Sequence, residues 1–255
     1  MTPTPKWSYM DHWAIDSDQG RTSPYISRDH MERYIHQLSA LGFRGFDTFT
    51  FSLFPLAQMF GSVVGFEKFL QANGFDKITG VFTAYPSATE SRAPHRAETH
   101  DAIIGDIKNS IAAVDGLSVE NFIVMPTNTY FMVEPNSNEK IKTTADLWNR
   151  AGALIRDAGM KLTCHFEFWG AIRTREEIDL FFEYTDPELV YFFCDAAQHT
   201  IAGLNPTELY LAYQERCTGF HFKDTHNVDP GEDYRTPPDP ELMSPNVRRW
   251  FYEMG

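Results

Sequence analysis

Residues 161–197 read "KLTCHFEFWGAIRTREEIDLFFEYTDPELVYFFCDAA". Two short apolar runs, 161–170 and 188–197, bracket a segment with helical character. Thr174 and Glu177 stand at the spacing of a capping box, so a helix is expected over 174–185. The first run is aromatic and still carries His165 and Glu167 two positions apart. On a strand those two side chains share a face, while Cys164 and Phe166 share the other. A buried carboxylate without a partner is unfavourable by several kcal/mol or takes up a proton. Glu167 on such a strand therefore calls for a cation.

The strand–helix–strand pattern continues in both directions. Strands are expected at 6–13, 43–51, 78–85, 121–126, 161–170, 188–197 and 218–225. Helices are expected at 27–42, 65–74, 94–117, 144–160, 174–185 and 205–216. Ser27 suits an N-cap and Gly42 a stop, and Ile103, Ile104, Ile107, Ile111 and Val114 recur at helical spacing. Short apolar strands alternating with helices imply parallel βαβ units. The rival open doubly wound sheet advertises a Gly-rich phosphate turn after its first strand, and "DHWAIDSDQG" stands there instead. The reading is α/β, a (β/α)8 TIM barrel forming a single domain over residues 1–255.

The chain has 255 residues and a formal net charge of −13. That balance argues against a sequence-independent grip on nucleic acid or an anionic membrane, and suits a small neutral substrate with a divalent cation. The most apolar window, 49–66, is broken by Pro55, Gln58, Gly61 and Ser62, so no membrane span is expected. The N-terminal "MTPTPKWSYM" has no signal-peptide core. Cys164, Cys194 and Cys217 are an odd set without a close pair, which reads as reduced thiols of a cytoplasmic protein.

Barrel enzymes build their sites at the C-terminal ends of the strands. Glu167, Asp195 and His221 fall there on three consecutive strands. Asp195 follows Glu167 by 28 positions and His221 follows Asp195 by 26, near the roughly 30 residues per βα unit of a 250-residue barrel. Two carboxylates and an imidazole form an O/N ligand set that suits Mn²⁺, Mg²⁺, Co²⁺ or Zn²⁺. His165 is in phase with Glu167 and Lys223 with His221, which offers a base and an electrostatic donor beside the cation. Each of these residues alone has a plain structural reading, since a lone histidine such as His221 is more often a satisfied core residue than a ligand. His95 and His100, five apart, share no helix face and read as solvated surface. His12 and Trp13 close strand one, where a substrate contact and a structural role are equally open. The aromatic run in 49–66 exceeds what a barrel mouth needs and points to an oligomer interface.

"CHFEFWG", "TREEIDLFFEYTDPELV" and "CDAAQHTIAGLNPTELYLAYQERCTGFHFKDTHN" resemble the xylose-isomerase-like TIM-barrel superfamily of sugar isomerases, epimerases and inosose dehydratases. The resemblance is closest over 161–226. Within it, "HFKD", "DPELV…D…H…AG" and "MDHWAID" look most like the barrel subunits of bacterial C-glycoside deglycosidases. The resemblance implies one divalent metal, often Mn²⁺, held by a strand-five Glu, a strand-six Asp, a strand-seven His and a strand-eight acid. Glu167, Asp195 and His221 match the first three, and no strand-eight acid is evident. In the epimerases a substrate-touching His follows the metal Asp by three positions, whereas His199 follows Asp195 by four. The deglycosidase likeness also implies a smaller β-rich partner chain.

The implied chemistry is proton removal beside a carbonyl, with enolate stabilisation by the metal. His165 is the expected base and Lys223 its understudy. Return of the proton elsewhere gives isomerisation or epimerisation. Departure of a leaving group from the β-carbon makes the enzyme a lyase, by dehydration or by cleavage of a 3-oxo-C-glycoside. A non-catalytic sugar-binding or scaffold subunit is the rival class. After strand seven the sequence turns polar and Pro-rich (226–245) and shows no eighth strand, so the expectation is a chain shortened at its C-terminus.

Overall fold

Ser27 caps the first helix by accepting a hydrogen bond from the His30 amide, and Gly42, at φ 95°, lies just beyond its end. That left-handed conformation is open to glycine because there is no Cβ to clash. In this computed structural model, which describes residues 6–10, 27–83, 90–129, 135–226, 228 and 251, strands and helices alternate along the chain. The order is β1 (Ser8–Met10), α1 (Arg28–Ala40), β2 (Gly45–Phe49), α2 (Leu53–Phe60), α3 (Val63–Ala72), β3 (Lys77–Thr83), α4 (His100–Ala113) and β4 (Asn121–Val124). It continues with α5 (Asn138–Asp157), β5 (Lys161–His165), α6 (Arg175–Tyr184), β6 (Val190–Asp195), α7 (Ala196–Ile201), α8 (Pro206–Tyr213) and β7 (Cys217–His221).

The chain divides into two compact units, 1–83 with 109–122 and 84–108 with 123–255. In the first, β1, β2 and β3 pair in parallel, in chain order. Helix α1 buries Met31, Ile35 and Leu38, the i, i+4, i+7 stripe of an amphipathic helix. Phe46 of β2 meets Phe66 of α3 edge-on at 5.4 Å. Asp47 is buried between hydroxyls: Ser8 donates to Oδ1 at 3.0 Å, and Thr79 donates to the same oxygen.

In the second unit β5, β6 and β7 pair in parallel, with His165 opposite Phe193 and Asp195 opposite His221. Alternation sorts the side chains. Phe192 packs against Phe166, and Phe182 of α6 meets both rings. Phe193 lies on the other face, its ring 4.6 Å from that of His221. Gly219 makes room for it, since a Cβ there would come within 2.6 Å of the Phe193 ring. The capping box of α6 is present, with Thr174 accepting from the Glu177 amide and Glu177 from the Thr174 amide.

Several boundaries differ from expectation. The aromatic run contains a helix, α2, that buries Leu53 and Leu56 and leaves Phe54 exposed, with Phe51 exposed in the turn before it. Helix α5 begins at Asn138, capped by Ser137, in a charged stretch whose only apolar signal is Ile141. Strand β5 stops at His165, because the Phe168 and Ala171 amides turn away to Gln198 Oε1, Thr127 Oγ1 and the Asn128 carbonyl. His100 is buried rather than solvated, its Nε2 2.8 Å from the Pro94 carbonyl. All three cysteines are free. Among the described residues no helix is long and apolar enough to cross a membrane. His12, Trp13 and the stretch 229–250, where an eighth strand was sought, lie outside the described residues.

Candidate metal and active site

The C-terminal ends of β5, β6 and β7 bring His165, Asp195 and His221 together. One ligand atom from each lies within 4.8 Å of the others. Asp195 is the hub and is fully buried. Its Oδ2 lies 3.0 Å from His165 Nε2, 2.8 Å from Lys223 Nζ and 3.6 Å from His221 Nδ1. Its Oδ1 accepts the Gln198 amide at 2.9 Å, capping α7. Glu167, two residues beyond β5, stands on the far side of the His165 ring, its Oε1 3.1 Å from Nδ1.

The charges follow from this arrangement. Burial works against protonation of His165, but the flanking carboxylates of Glu167 and Asp195 outweigh it and lift the imidazole to about 9. Burial also disfavours charge on Asp195, yet Lys223 and the two histidines hold its carboxyl well below the usual carboxylate range. His221 is pushed down to about 3, chiefly by burial, and is neutral at pH 7. Burial would lower Lys223 too, but Asp195 and then Glu167 raise it, so its ammonium is retained. The cysteines behave as apolar residues: burial pushes Cys194 up to about 12 and Cys164 up as well.

Of the residues expected in a site, five meet here: His165, Glu167, Asp195, His221 and Lys223. The ligand-distance cluster holds His165 in the place where Glu167 was expected. His199 is buried, its ring 5.6 Å from Phe192 and its Nε2 without a hydrogen-bond partner among the described residues. Burial lowers it to about 4, which keeps it neutral. Gln198 occupies the third position after Asp195, and the sequence reading passed over it. Its Nε2 donates to Glu167 and its Oε1 accepts the Phe168 amide at 3.0 Å. Trp169 and Phe251 were missed as well. Both rings pack on Phe168, and Lys223 Nζ lies 5.0 Å above the Phe251 ring.

Two imidazoles and a carboxylate at this separation are an N/O donor set of the kind that Zn²⁺, Mn²⁺ and Co²⁺ accept. Comparison with solved structures gives a close match of fold. The probable 3-DHS dehydratase AsbF of Bacillus anthracis superposes with a TM-score of 0.70 over 96% of this chain and 79% of that one, at 12% identity. The fold is that of the α/β TIM barrels. The IolI protein with its zinc atom matches at a TM-score of 0.62, 16% identity, over 78% of this chain and 69% of that one. In sequence, the inosose dehydratase of Geobacillus kaustophilus is 36% identical over 88 residues, which are 34% of this chain and 29% of that protein. The chain thus matches about a third of the length of its curated relatives. No family model matches it.

Proposed function

We propose that the chain is an enzyme of sugars or keto-sugars that depends on one divalent metal ion and removes a proton next to a carbonyl. The observation that carries this reading is the convergence of His165, Asp195 and His221 at three adjacent strand ends. The dehydratase named among its sequence relatives and the zinc in one structural neighbour support it. His165, Asp195 and His221 would hold the ion, with Glu167 at hand beside His165. Mn²⁺ is the first choice by family likeness, and Zn²⁺, Co²⁺ and Mg²⁺ are the alternatives. The ion supplies Lewis-acid polarisation of the substrate carbonyl.

Lys223 is the chain's proton-moving group in this reading: Asp195 holds it as the ammonium, and a cation drawing on Asp195 would weaken that hold and lower its pKa toward the free amine that takes the proton. Its Nζ is tethered at 2.8 Å to Asp195, beside the cluster, and its side chain is partly exposed at the mouth. His165, the base expected from sequence, has both ring nitrogens turned to carboxylates, which suits it better to holding the ion. The reaction proposed is β-elimination. The C–H pair beside the carbonyl becomes the new C=C bond, and the leaving group departs from the β-carbon with its bonding pair and takes up a proton. Loss of hydroxide gives a dehydratase. Loss of an aryl carbon gives cleavage of a 3-oxo-C-glycoside. Epimerisation would follow if the proton returned to the opposite face. The three free cysteines suit a reducing cytoplasm, and Phe51 and Phe54, exposed at 48% and 71%, suit an oligomer.

The test is incubation of Mn²⁺-loaded protein with an inosose and a panel of 3-oxo-sugars in D₂O. Deuterium entering the carbon next to the carbonyl, and its loss in His221→Ala, is the expected result. Stoichiometric metal with no exchange on any carbonyl sugar would instead make the chain a non-catalytic binding subunit.

A further inference from the structure

Glu167 is buried beside the ligand cluster without belonging to it, and both of its carboxylate oxygens already have partners. Oε1 faces His165 Nδ1 at 3.1 Å and Oε2 accepts from Gln198 Nε2. The opposite nitrogen of the same ring, Nε2, faces Asp195 at 3.0 Å. An imidazole gives only one nitrogen to a cation, and the hydrogen bond made by the other nitrogen decides which one. Here Nε2 faces Asp195, a member of the cluster, and Nδ1 lies 3.1 Å from Glu167, which stands outside it.

We propose that Glu167 and Gln198 form a positioning pair that holds His165 with Nε2 turned to the cation, Glu167 acting through the ring and not as a ligand. The proposal rests on the metal site of the functional reading above. Gln198 ties the parts together. Its backbone amide holds Asp195 at 2.9 Å, its side-chain oxygen takes the Phe168 amide at 3.0 Å, and that orients its side-chain nitrogen toward Glu167. One residue thus registers the carboxylate that touches the ion against the carboxylate that orients the ion's histidine. Gln198 and His165 are each 1% exposed, so water does not compete for these bonds.

Cobalt(II) alone is the probe, because it reports both affinity and the shifted N–H protons of bound imidazoles. Glu167→Ala should weaken Co²⁺ binding about 10–100-fold while one equivalent still binds. The His165 Nδ1–H signal should then exchange faster with water. Glu167→Gln, whose amide oxygen can accept from Nδ1–H once Nε2 is turned to the ion, should restore most of the affinity. Gln198→Ala keeps the backbone bond to Asp195 and should shift affinity the same way by less. Loss of stoichiometric Co²⁺ in both Glu167 variants would make Glu167 a ligand and overturn the proposal. Unchanged affinity and exchange in Glu167→Ala would overturn it equally. Failure of the wild-type protein to bind Co²⁺ would overturn the metal reading itself, a result distinct from either.

Discussion

Two aspartates, each on a parallel strand and each buried, show opposite electrostatics. Asp47 in the first unit is surrounded by neutral donors, Ser8 and Thr79. Burial outweighs them, and its carboxyl is raised above the ordinary range. Asp195 in the second unit is buried more completely, yet Lys223, His165 and His221 face it and its carboxyl is held far below that range. Burial of a carboxylate therefore does not mark a site. What separates the two is the character of their partners: hydroxyls close a polar knot inside a sheet, whereas imidazoles and an ammonium keep the carboxylate charged, as the proposed cation site needs.

Exchanging each acid for its amide breaks the comparison most sharply. Asp195→Asn should abolish solvent deuterium exchange on substrate, and Asp47→Asn should leave it at the wild-type rate, both read by NMR in D₂O. Equal losses in the two variants would mean that the difference in partners carries no functional weight. Next in size is Lys223→Met, which keeps an unbranched side chain of similar length and removes the proposed proton carrier. Exchange should fall by about 10²–10⁴-fold with metal content unchanged, and a wild-type rate would assign proton movement elsewhere.

The sequence exposed the Asp195 side of this contrast and hid the Asp47 side. The placing of Asp195 and His221 at adjacent strand ends was legible because strand ends recur at a regular interval in a βα-repeat chain, and a polar residue at each end stands out against "YFFC" and "TGF". The capping box at Thr174 and Glu177 was equally plain, since its signal is local. Gln198 was passed over because an amide carries no charge, and only the fold shows that it joins Glu167 to the Asp195 turn. That His165, and not Glu167, lies within ligand distance of Asp195 and His221 was invisible for a related reason. Period-two alternation put both on one face, but the strand ends at His165 and the turn beyond carries Glu167 to the far side of the ring. Helix α2 was missed because Phe54 stays exposed between buried Leu53 and Leu56, so its apolar residues do not trace one stripe.

His199 sharpens the contrast from within the second unit, as a buried titratable group next to the site with an aromatic neighbour in place of a charged partner. Its folded value of about 4 lies below the unfolded 6.5. The unfolded chain therefore binds more protons in that window, and stability present above pH 6.5 is lost as pH falls toward 4. The loss is on the order of 3 kcal/mol at full amplitude, and His199→Phe should remove that part of the acid destabilisation in urea melts. Matching pH profiles for the variant and wild type would contradict it.

Asp47 gives the smallest effect and the opposite sign. Its folded carboxyl is raised, so its contribution is most favourable below the unfolded value and is lost as pH rises through the folded one. Asp47→Asn should be neutral or stabilising at pH 7, within about 1 kcal/mol, and the advantage should vanish in acid. A variant more stable relative to wild type in acid than at neutrality would reverse the assignment.

The central claim is that His165, Asp195 and His221 are one cation site. Titrating Mn²⁺ and Zn²⁺ into chelator-stripped protein by calorimetry tests it most directly, with wild type and Asp195→Asn side by side. One equivalent bound by the wild type and none by the variant is the predicted result. Absence of binding in the wild type, or an unchanged equivalent in Asp195→Asn, would contradict the claim.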